Sequence, residues 1–353
     1  MSRFWNPLIE QLEPYIPGEQ LDDPSIIKLN TNENPFPPSP NVIAAIEEEA
    51  RTKLQLYPSP AVDDLRKEIG SCYGLKKEQV FIGNGSDEVL ALSFMTFFEP
   101  GKAIKYPDIT YSFYPVYAKL YQLDVEEVAL EDDFTISPQS LFNAEGGVIF
   151  PNPNAPTSLY LELDAIEEVL KNNPDHVVIV DEAYVDFAES SAVSLIDSYP
   201  NLLVVQTLSK SRSLAGLRVG MAMGHKDLID GLTRVKDSFN SYTIDRLAIA
   251  GAVQAFRDTA YFEKTRQEII KTREYFRQEL EKRDFHVLPS QANFVLASPE
   301  GIEAEKLFME LKQAGFLIRY FNKPRLENYL RISIGTKEQM TKLLHAIDSI
   351  TEK

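Results

Sequence analysis

Apolar residues along this chain recur in two rhythms. From Val80 to about Gly224 they come as short runs separated by amphipathic stretches, and after Lys226 they recur at helical spacing over longer segments. The runs Val177–Val180 and Leu202–Val205 contain no polar residue, the signature of strands covered on both faces. Strands are accordingly predicted at Val80–Ile82, Ala103–Tyr106, Val125–Val128, Val148–Pro151, Val177–Val180, Leu202–Thr207 and Arg218–Met223, enough for one large sheet. Their alternation with helices predicts an α/β fold with a mostly parallel sheet. Two long helices are predicted through Asp245–Phe256 and Tyr261–Lys282, with the boundary between two units inside them. Beyond them the pattern reads strand, strand, helix, strand, strand, helix: Phe285–Leu288, Asn293–Leu296, Ala304–Ala314, Leu317–Tyr320, Tyr329–Ile334 and Lys337–Ile350, a second and smaller α/β domain. The first forty residues, dense in proline and asparagine from Asn30 to Pro38, predict loop rather than regular structure.

At 353 residues the chain has room for two domains of roughly 100 to 200 residues each. Its 36 basic and 53 acidic side chains leave a net charge of −17, which argues against a nucleic-acid surface and against binding to anionic membranes. Glutamate-rich stretches such as Ile46–Glu49 carry much of that charge and read as solvated helix faces. Cys72 is the only cysteine, so no disulfide can form within the chain, and its place in an apparent helix predicts a core residue. His176, His225, His286 and His345 stand singly without ligand spacing, so no metal is expected. No apolar run approaches the ~18 residues of a membrane helix. The opening residues carry Glu10, Glu13 and prolines where a signal peptide would be apolar, so a cytoplasmic protein is expected.

Candidate chemistry falls just after predicted strands, where an α/β sheet gathers its ligands. Thr207-Leu208-Ser209-Lys210 ends a buried strand in a lysine placed to be a partly desolvated amine that attacks a carbonyl; a solvated loop lysine is the alternative. Ile82-Gly83-Asn84-Gly85-Ser86-Asp87-Glu88 puts glycines before a helix whose free N–H groups can take a phosphate. Glu88 stands where a dinucleotide fingerprint has its third glycine, and a helix capped by Ser86 is the alternative. Tyr111 can stack on a flat ring or pack in a core. Asp181 and Glu182 close an apolar strand, and a buried carboxylate there needs a cation. A protonated ring nitrogen would serve, with Tyr184 donating to a ring oxygen; a helix cap or salt bridge is the alternative. Arg319 and Arg331 interrupt apolar strands twelve residues apart, which points to a clamp for a carboxylate or phosphate, with an internal ion pair as the alternative. Lysine, phosphate cup, stacking ring, buried acid and hydroxyl together match pyridoxal phosphate group by group.

With these residues in place the chain resembles the fold-type I, class II pyridoxal-phosphate-dependent aminotransferases. The motifs are Leu29-Asn30-Thr31-Asn32-Glu33-Asn34-Pro35, Tyr57-Pro58, Gly85-Ser86-Asp87-Glu88, Pro151-Asn152-Pro153-Asn154-Ala155-Pro156-Thr157, Asp181-Glu182-Ala183-Tyr184, Thr207-Leu208-Ser209-Lys210, Ala215-Gly216-Leu217-Arg218 and Leu330-Arg331-Ile332, in the family's order through nearly the whole chain. Within that family the chain looks like the histidinol-phosphate aminotransferases. The resemblance implies a large cofactor-binding domain, residues 45–250, whose mostly parallel mixed sheet is sandwiched by helices. It implies a smaller α/β domain from residues 1–44 and 251–353, with an N-terminal arm.

It further implies that Lys210 holds the cofactor aldehyde as an internal imine and then shuttles the proton. Asp181 would keep the ring nitrogen protonated, Tyr184 would bind the phenolate oxygen and Tyr111 would stack on the ring. Ser209, Arg218 and the backbone N–H groups of Ser86 and Asp87 would hold the cofactor phosphate. Tyr57 would reach the phosphate of a neighbouring subunit, which makes a homodimer the expected unit, and Tyr15, Arg319 and Arg331 would bind the substrate phosphate. Two positions depart from the family pattern. Ala155 stands where an asparagine usually precedes the proline, leaving Asn154 or Tyr184 alone to hold the ring oxygen. Ser158 replaces a turn glycine, so its loop must avoid positive φ or tolerate some strain.

The implied reaction converts imidazole-acetol phosphate and L-glutamate to L-histidinol phosphate and 2-oxoglutarate, in histidine biosynthesis. The same clusters leave room for an aromatic amino-acid aminotransferase and for a decarboxylase of a phosphorylated amino acid. Outside catalysis they leave a ligand-sensing domain of a regulator or a dinucleotide-binding module. A regulator would carry a DNA-binding domain in front, whereas here the motifs begin within the first thirty residues and the net charge is strongly negative.

Overall fold

The computed structural model describes residues 3–21 and 23–351, so the outermost ends of the expected small domain lie outside it. The N-terminal stretch is not wholly irregular, as helix α1 (Pro7–Gln11) and strand β1 (Ile27–Lys28) lie in it. Asn6 caps α1, and Pro7 at its first turn suits a helix start, a local cause that a count of prolines hides. Strand β1 exists only because residues 316–317 pair with it.

Helices α2 (Pro40–Thr52) and α3 (Asp63–Tyr73) lead into the alternating region. There follow β2 (Val80–Asn84), α4 (Gly85–Phe97), β3 (Ile104–Pro107), α5 (Tyr114–Leu120), β4 (Val125–Val128), β5 (Val148–Pro151), α6 (Leu163–Lys171), β6 (Val178–Asp181), β7 (Leu202–Thr207) and β8 (Val219–Gly224). Each expected strand is present within two residues of its expected ends, and all join one sheet in the order β2-β8-β7-β6-β5-β3-β4. Only β8 runs against its neighbours. The reversal places Arg218, just before β8, on the same edge as the carboxyl ends of β2, β6 and β7.

Three helices come next: α7 (Lys226–Phe239), α8 (Arg246–Arg257) and α9 (Thr259–Glu281). The last two match the long helices expected there; α7 was not expected, because its stripe of Leu228, Ile229, Leu232 and Val235 is helical but the segment holds the weak helix former Gly231. Strand residues alternate between two cores, as a sheet covered on both faces requires. Val178, Val180 and Val204 face α3, α6 and α8, whereas Ile179, Leu203 and Val205 face α4, α5 and α7. Val42 of α2 and Ala252 and Phe256 of α8 belong to the first of these cores.

The remaining elements are β9 (Phe285–Val287), β10 (Phe294–Pro299), α10 (Ala304–Gln313), β11 (Phe316–Leu317), β12 (Arg319–Tyr320), β13 (Leu330–Ser333) and α11 (Lys337–Thr351). An antiparallel sheet, β12-β13-β10-β9, packs against α9, α10 and α11 around Phe276, Val295, Leu307, Ile332 and Leu343. The strand expected at Leu317–Tyr320 is two strands. β11 pairs in parallel with β1, and β12 pairs antiparallel with β13, with the break at the buried Ile318. Cys72 is a second correction, since it lies exposed on α3 rather than in a core. No helix among the described residues is long and apolar enough to cross a membrane.

Candidate active site

At the carboxyl edge of the large sheet lies a cavity of about 1080 Å³, closed on its far side by β12, β13 and residues 13–18. Every residue expected at the cofactor or substrate lines it except Tyr57 and the alternative Asn154.

The end of the cavity expected to take a phosphate is built by a strand that turns into a helix without a loop. Gly85 takes φ 78 and begins α4, so the N–H groups of Ser86 and Asp87 fall in the first turn, which a helix leaves without internal acceptors. Ser86 is not the cap. Glu88 folds back instead, accepting from the Asn84 N–H at 2.6 Å and from the Thr243 hydroxyl. A Cβ at Gly220 of β8 would lie 2.3 Å from the Gly85 carbonyl carbon, so only glycine lets the two backbones pass this closely. Arg218 donates to Asp87 at 3.0 Å, and the other Asp87 oxygen accepts from the Tyr111 hydroxyl at 2.8 Å. One side chain thereby orients both the arginine and the ring expected to stack. Ser209 accepts from the Thr207 hydroxyl at 3.0 Å, which leaves its own proton for the cavity.

The paired acids at the end of β6 divide by pleat. Asp181 faces the cavity and accepts from the Tyr114 hydroxyl at 2.9 Å, and burial pushes its carboxyl up to about 6. It has no ion pair among the described residues. Glu182 points the other way and accepts from Ser191, the Ala192 N–H and Gln206, with burial pushing it up to about 7. Tyr114, fully buried behind the Asp181 carboxyl, was not expected from the sequence; its position three residues after Tyr111, at the start of α5, was the available signal.

Three consecutive residues of the N-terminal segment each hold one functional side chain. The Asn30 carbonyl accepts from Arg331 at 2.7 Å, the Thr31 carbonyl from the Lys210 ammonium at 3.0 Å, and the Asn32 amide donates to the Tyr184 hydroxyl at 3.0 Å. Asn34 adds a fourth tie, donating to the carbonyls of Lys210 and Ser211. The asparagine-rich motif was legible, but none of these contacts has a sequence signal, because the partners lie over 150 residues away.

Both departures from the family pattern have structural answers. Ala155 packs against Tyr184 and Phe294, while the Asn154 amide is spent on the Ile109 carbonyl and Thr157. Asn154 therefore does not take the missing asparagine's place. Ser158 takes φ 65, a left-handed conformation costing on the order of 1 kcal/mol for a residue with a Cβ. Its N–H donates to the Asn154 carbonyl at 2.7 Å, and its own carbonyl accepts from Gln291 at 3.0 Å, so the turn is held from both sides.

At the opposite wall Arg319 and Arg331 are direct partners in the antiparallel register of β12 and β13. Like charges facing each other across strands are unfavourable unless an anion lies between them. Neither has a carboxylate partner among the described residues, so the alternative of an internal ion pair falls away. Arg331 Nε is buried without an acceptor, and burial holds the guanidinium below its ordinary range. Tyr15 lies nearby, stacked on Phe113 at 4.4 Å. Lys323 and Arg325, unremarked in the sequence, also line the cavity. Tyr57 is 77% exposed and stacks on Tyr242 at 4.7 Å, away from its own chain's cavity.

This donor set fits a flat, phosphorylated pyridine aldehyde. It offers an amine, a buried carboxyl lacking a cation, and a helix N-terminus beside an arginine, where the Gly85–Gly220 contact clears space. Among known proteins, the chain is 63% identical over 350 residues to histidinol-phosphate aminotransferase 1 of Oceanobacillus iheyensis, covering 99% of both chains. It is 54% identical over the full length of both to a histidinol-phosphate aminotransferase of Clostridium botulinum. Among solved structures, that of the Clostridium acetobutylicum histidinol-phosphate aminotransferase superposes with a TM-score of 0.86 at 27% identity, covering 93% of this chain and 99% of that one. The Sinorhizobium meliloti enzyme, solved in complex with pyridoxal-5'-phosphate, shares the fold with a TM-score of 0.88 at 23% identity, covering 100% and 98%. The pattern described as aminotransferase class I and II matches residues 24–347, and the chain belongs to that family.

Proposed function

We propose that this chain is a pyridoxal-phosphate-dependent aminotransferase that moves the amino group of L-glutamate to imidazole-acetol phosphate, giving L-histidinol phosphate and 2-oxoglutarate in histidine biosynthesis. The observation that carries the substrate is the unpaired Arg319–Arg331 pair across the cavity from Lys210. Its relatives' printed names point the same way.

Pyridoxal phosphate, when bound, supplies an electron sink for the bond broken at the substrate carbon. Asp181 would hold the ring nitrogen's proton by ion pairing, and the N–H groups of Ser86 and Asp87, with Ser209 and Arg218, would hold the phosphate. Tyr111 would cover one face of the ring, Tyr184 would offer its hydroxyl to the ring oxygen, and Lys210 Nζ would move the proton at the substrate carbon. Arg319 and Arg331 take a carboxylate in one half of the cycle and a phosphate in the other, since a guanidinium fork meets either oxyanion. We further propose that residues 45–250 form the cofactor domain, with residues 1–44 and 251–353 as the smaller one. The exposed Tyr57, with Leu54 and Leu56 also exposed beside it, would serve the partner's cavity in a homodimer.

The test is the near-visible absorbance of the protein loaded with pyridoxal phosphate, followed on adding histidinol phosphate, phenylalanine or threonine phosphate. Rapid loss of the band with histidinol phosphate is expected. Loss with phenylalanine alone would replace this reading with the aromatic one, and carbon dioxide release from threonine phosphate would replace it with the decarboxylase.

A further inference from the structure

Tyr184 is buried at the cavity wall, its ring edge-on to Phe294 at 5.0 Å, and Ala155 beside it offers no polar side-chain atom. A phenol hydroxyl both donates and accepts, so its neighbours decide where its proton points. Asn32 makes that decision through a closed circuit. Its backbone N–H donates to Ser333 Oγ at 2.9 Å, and Ser333 Oγ donates to Asn32 Oδ1 at 2.8 Å. With Oδ1 engaged, Nδ2 must face Tyr184, and it donates to the phenol oxygen at 3.0 Å. Asn293 pins the same residue by donating to the Asn32 carbonyl at 2.9 Å. Asn32 and Ser333 are 1% and 2% exposed, so water has no access to replace either bond.

We propose that Asn32 is a positioning residue: by donating to the Tyr184 oxygen it commits the Tyr184 proton to the cavity and the cofactor's ring oxygen, achieving indirectly what Ala155 cannot do. This rests on the cofactor reading above. The titratable groups facing Tyr184 are Lys210, whose Nζ lies 5.8 Å from the ring centre, Arg331 and Tyr111. None of these bonds to the Asn32 side chain. Asn32 sits at φ 57, a conformation that glycine and aspartate tolerate. Asn32→Gly therefore removes the amide without backbone strain, and Asn32→Asp replaces a donor with an acceptor that draws the Tyr184 proton away.

The experiment is a pH titration of the near-visible band of the loaded protein, from about pH 5 to about pH 10, a range that brackets a perturbed lysine-linked nitrogen. A donor on the ring oxygen favours the deprotonated form of that nitrogen, so losing the donor raises the midpoint. The midpoint is expected to rise by about one pH unit in Asn32→Asp, as for a charge change within hydrogen-bond reach. The rise should be smaller in Asn32→Gly, and the Asn32→Asp shift should be at least halved in a Tyr184→Phe background, because the effect passes through that hydroxyl. Midpoints within about 0.2 unit of wild type in both variants, small against the shifts that charge neighbours produce, would overturn the proposal, as would a shift undiminished by Tyr184→Phe. Should either Asn32 variant fail to fold, Ser333→Ala, which frees the amide to turn, must raise the midpoint by itself or the proposal falls. A wild-type protein with no near-visible band would instead remove the cofactor reading.

Discussion

The two walls of the cavity, the one proposed for the cofactor and the one proposed for the substrate, are built by different means. The cofactor wall is a row of strand ends, with Asp181, Ser209 and Lys210 issuing from strands whose residues are buried on both faces. The substrate wall is made of the two-residue strand β12, the short β13 and an irregular N-terminal segment. Arg331 there is held by the Asn30 carbonyl rather than by an acid. A wall carried on deeply paired strands fixes groups that every turnover reuses, while one carried on short strands and loops can change its shape and its substrate at little cost to the core.

The sharpest way to break that contrast is at Lys210. Lys210→Ala should lower turnover by at least about 10⁴-fold, the upper range for loss of a positioned proton carrier, with substrate affinity little changed. A variant retaining more than a hundredth of the activity would show that the cofactor wall does not centre on this amine.

Asp181 gives the next effect, and it depends on pH. Its carboxyl stands at about 6 in the folded chain against 3.8 for the ordinary group, so the folded cofactor-free protein holds a proton that the unfolded chain releases. Stability of the cofactor-free protein should therefore fall as pH rises from about 4 to about 6. Cofactor binding, which uses the carboxylate, should strengthen over the same rise, by about tenfold per unit below 6. Equilibrium dialysis of pyridoxal phosphate across that range checks it, and Asp181→Asn should flatten the profile. A wild-type profile already flat would remove Asp181 as the ring's counter-ion.

On the substrate wall, Arg331→Gln should raise KM for histidinol phosphate by about 30-fold, the loss of a charge-assisted hydrogen bond of roughly 2 kcal/mol. The band that reports the cofactor should be unchanged. Equal damage to cofactor binding would mean that the two walls are not separable.

Much of this molecule was legible before any coordinates. The large sheet could be read because doubly covered strands write themselves as unbroken apolar runs, as at Leu202–Val205. Lys210 and Asp181 stood out because they end such runs, whereas Arg218 was singled out only by the resemblance of its motif. β1 was not legible, since two residues have no pattern of their own, and neither was the break at Ile318, where one apolar stretch serves two sheets. Tyr114 hid among neighbouring aromatic residues that pack in the same core.

The sequence by itself determined the fold class, the row of strand ends and the chemical types gathered there, because burial and charge leave a record in residue order. Only the tertiary structure decided that Arg319 faces Arg331, that Glu182 turns away from the cavity while Asp181 enters it, and that Asn30, Thr31 and Asn32 hold Arg331, Lys210 and Tyr184. Those contacts are hydrogen bonds between residues far apart in the chain, and a hydrogen bond imposes geometry on its partners without imposing any periodicity on the sequence between them.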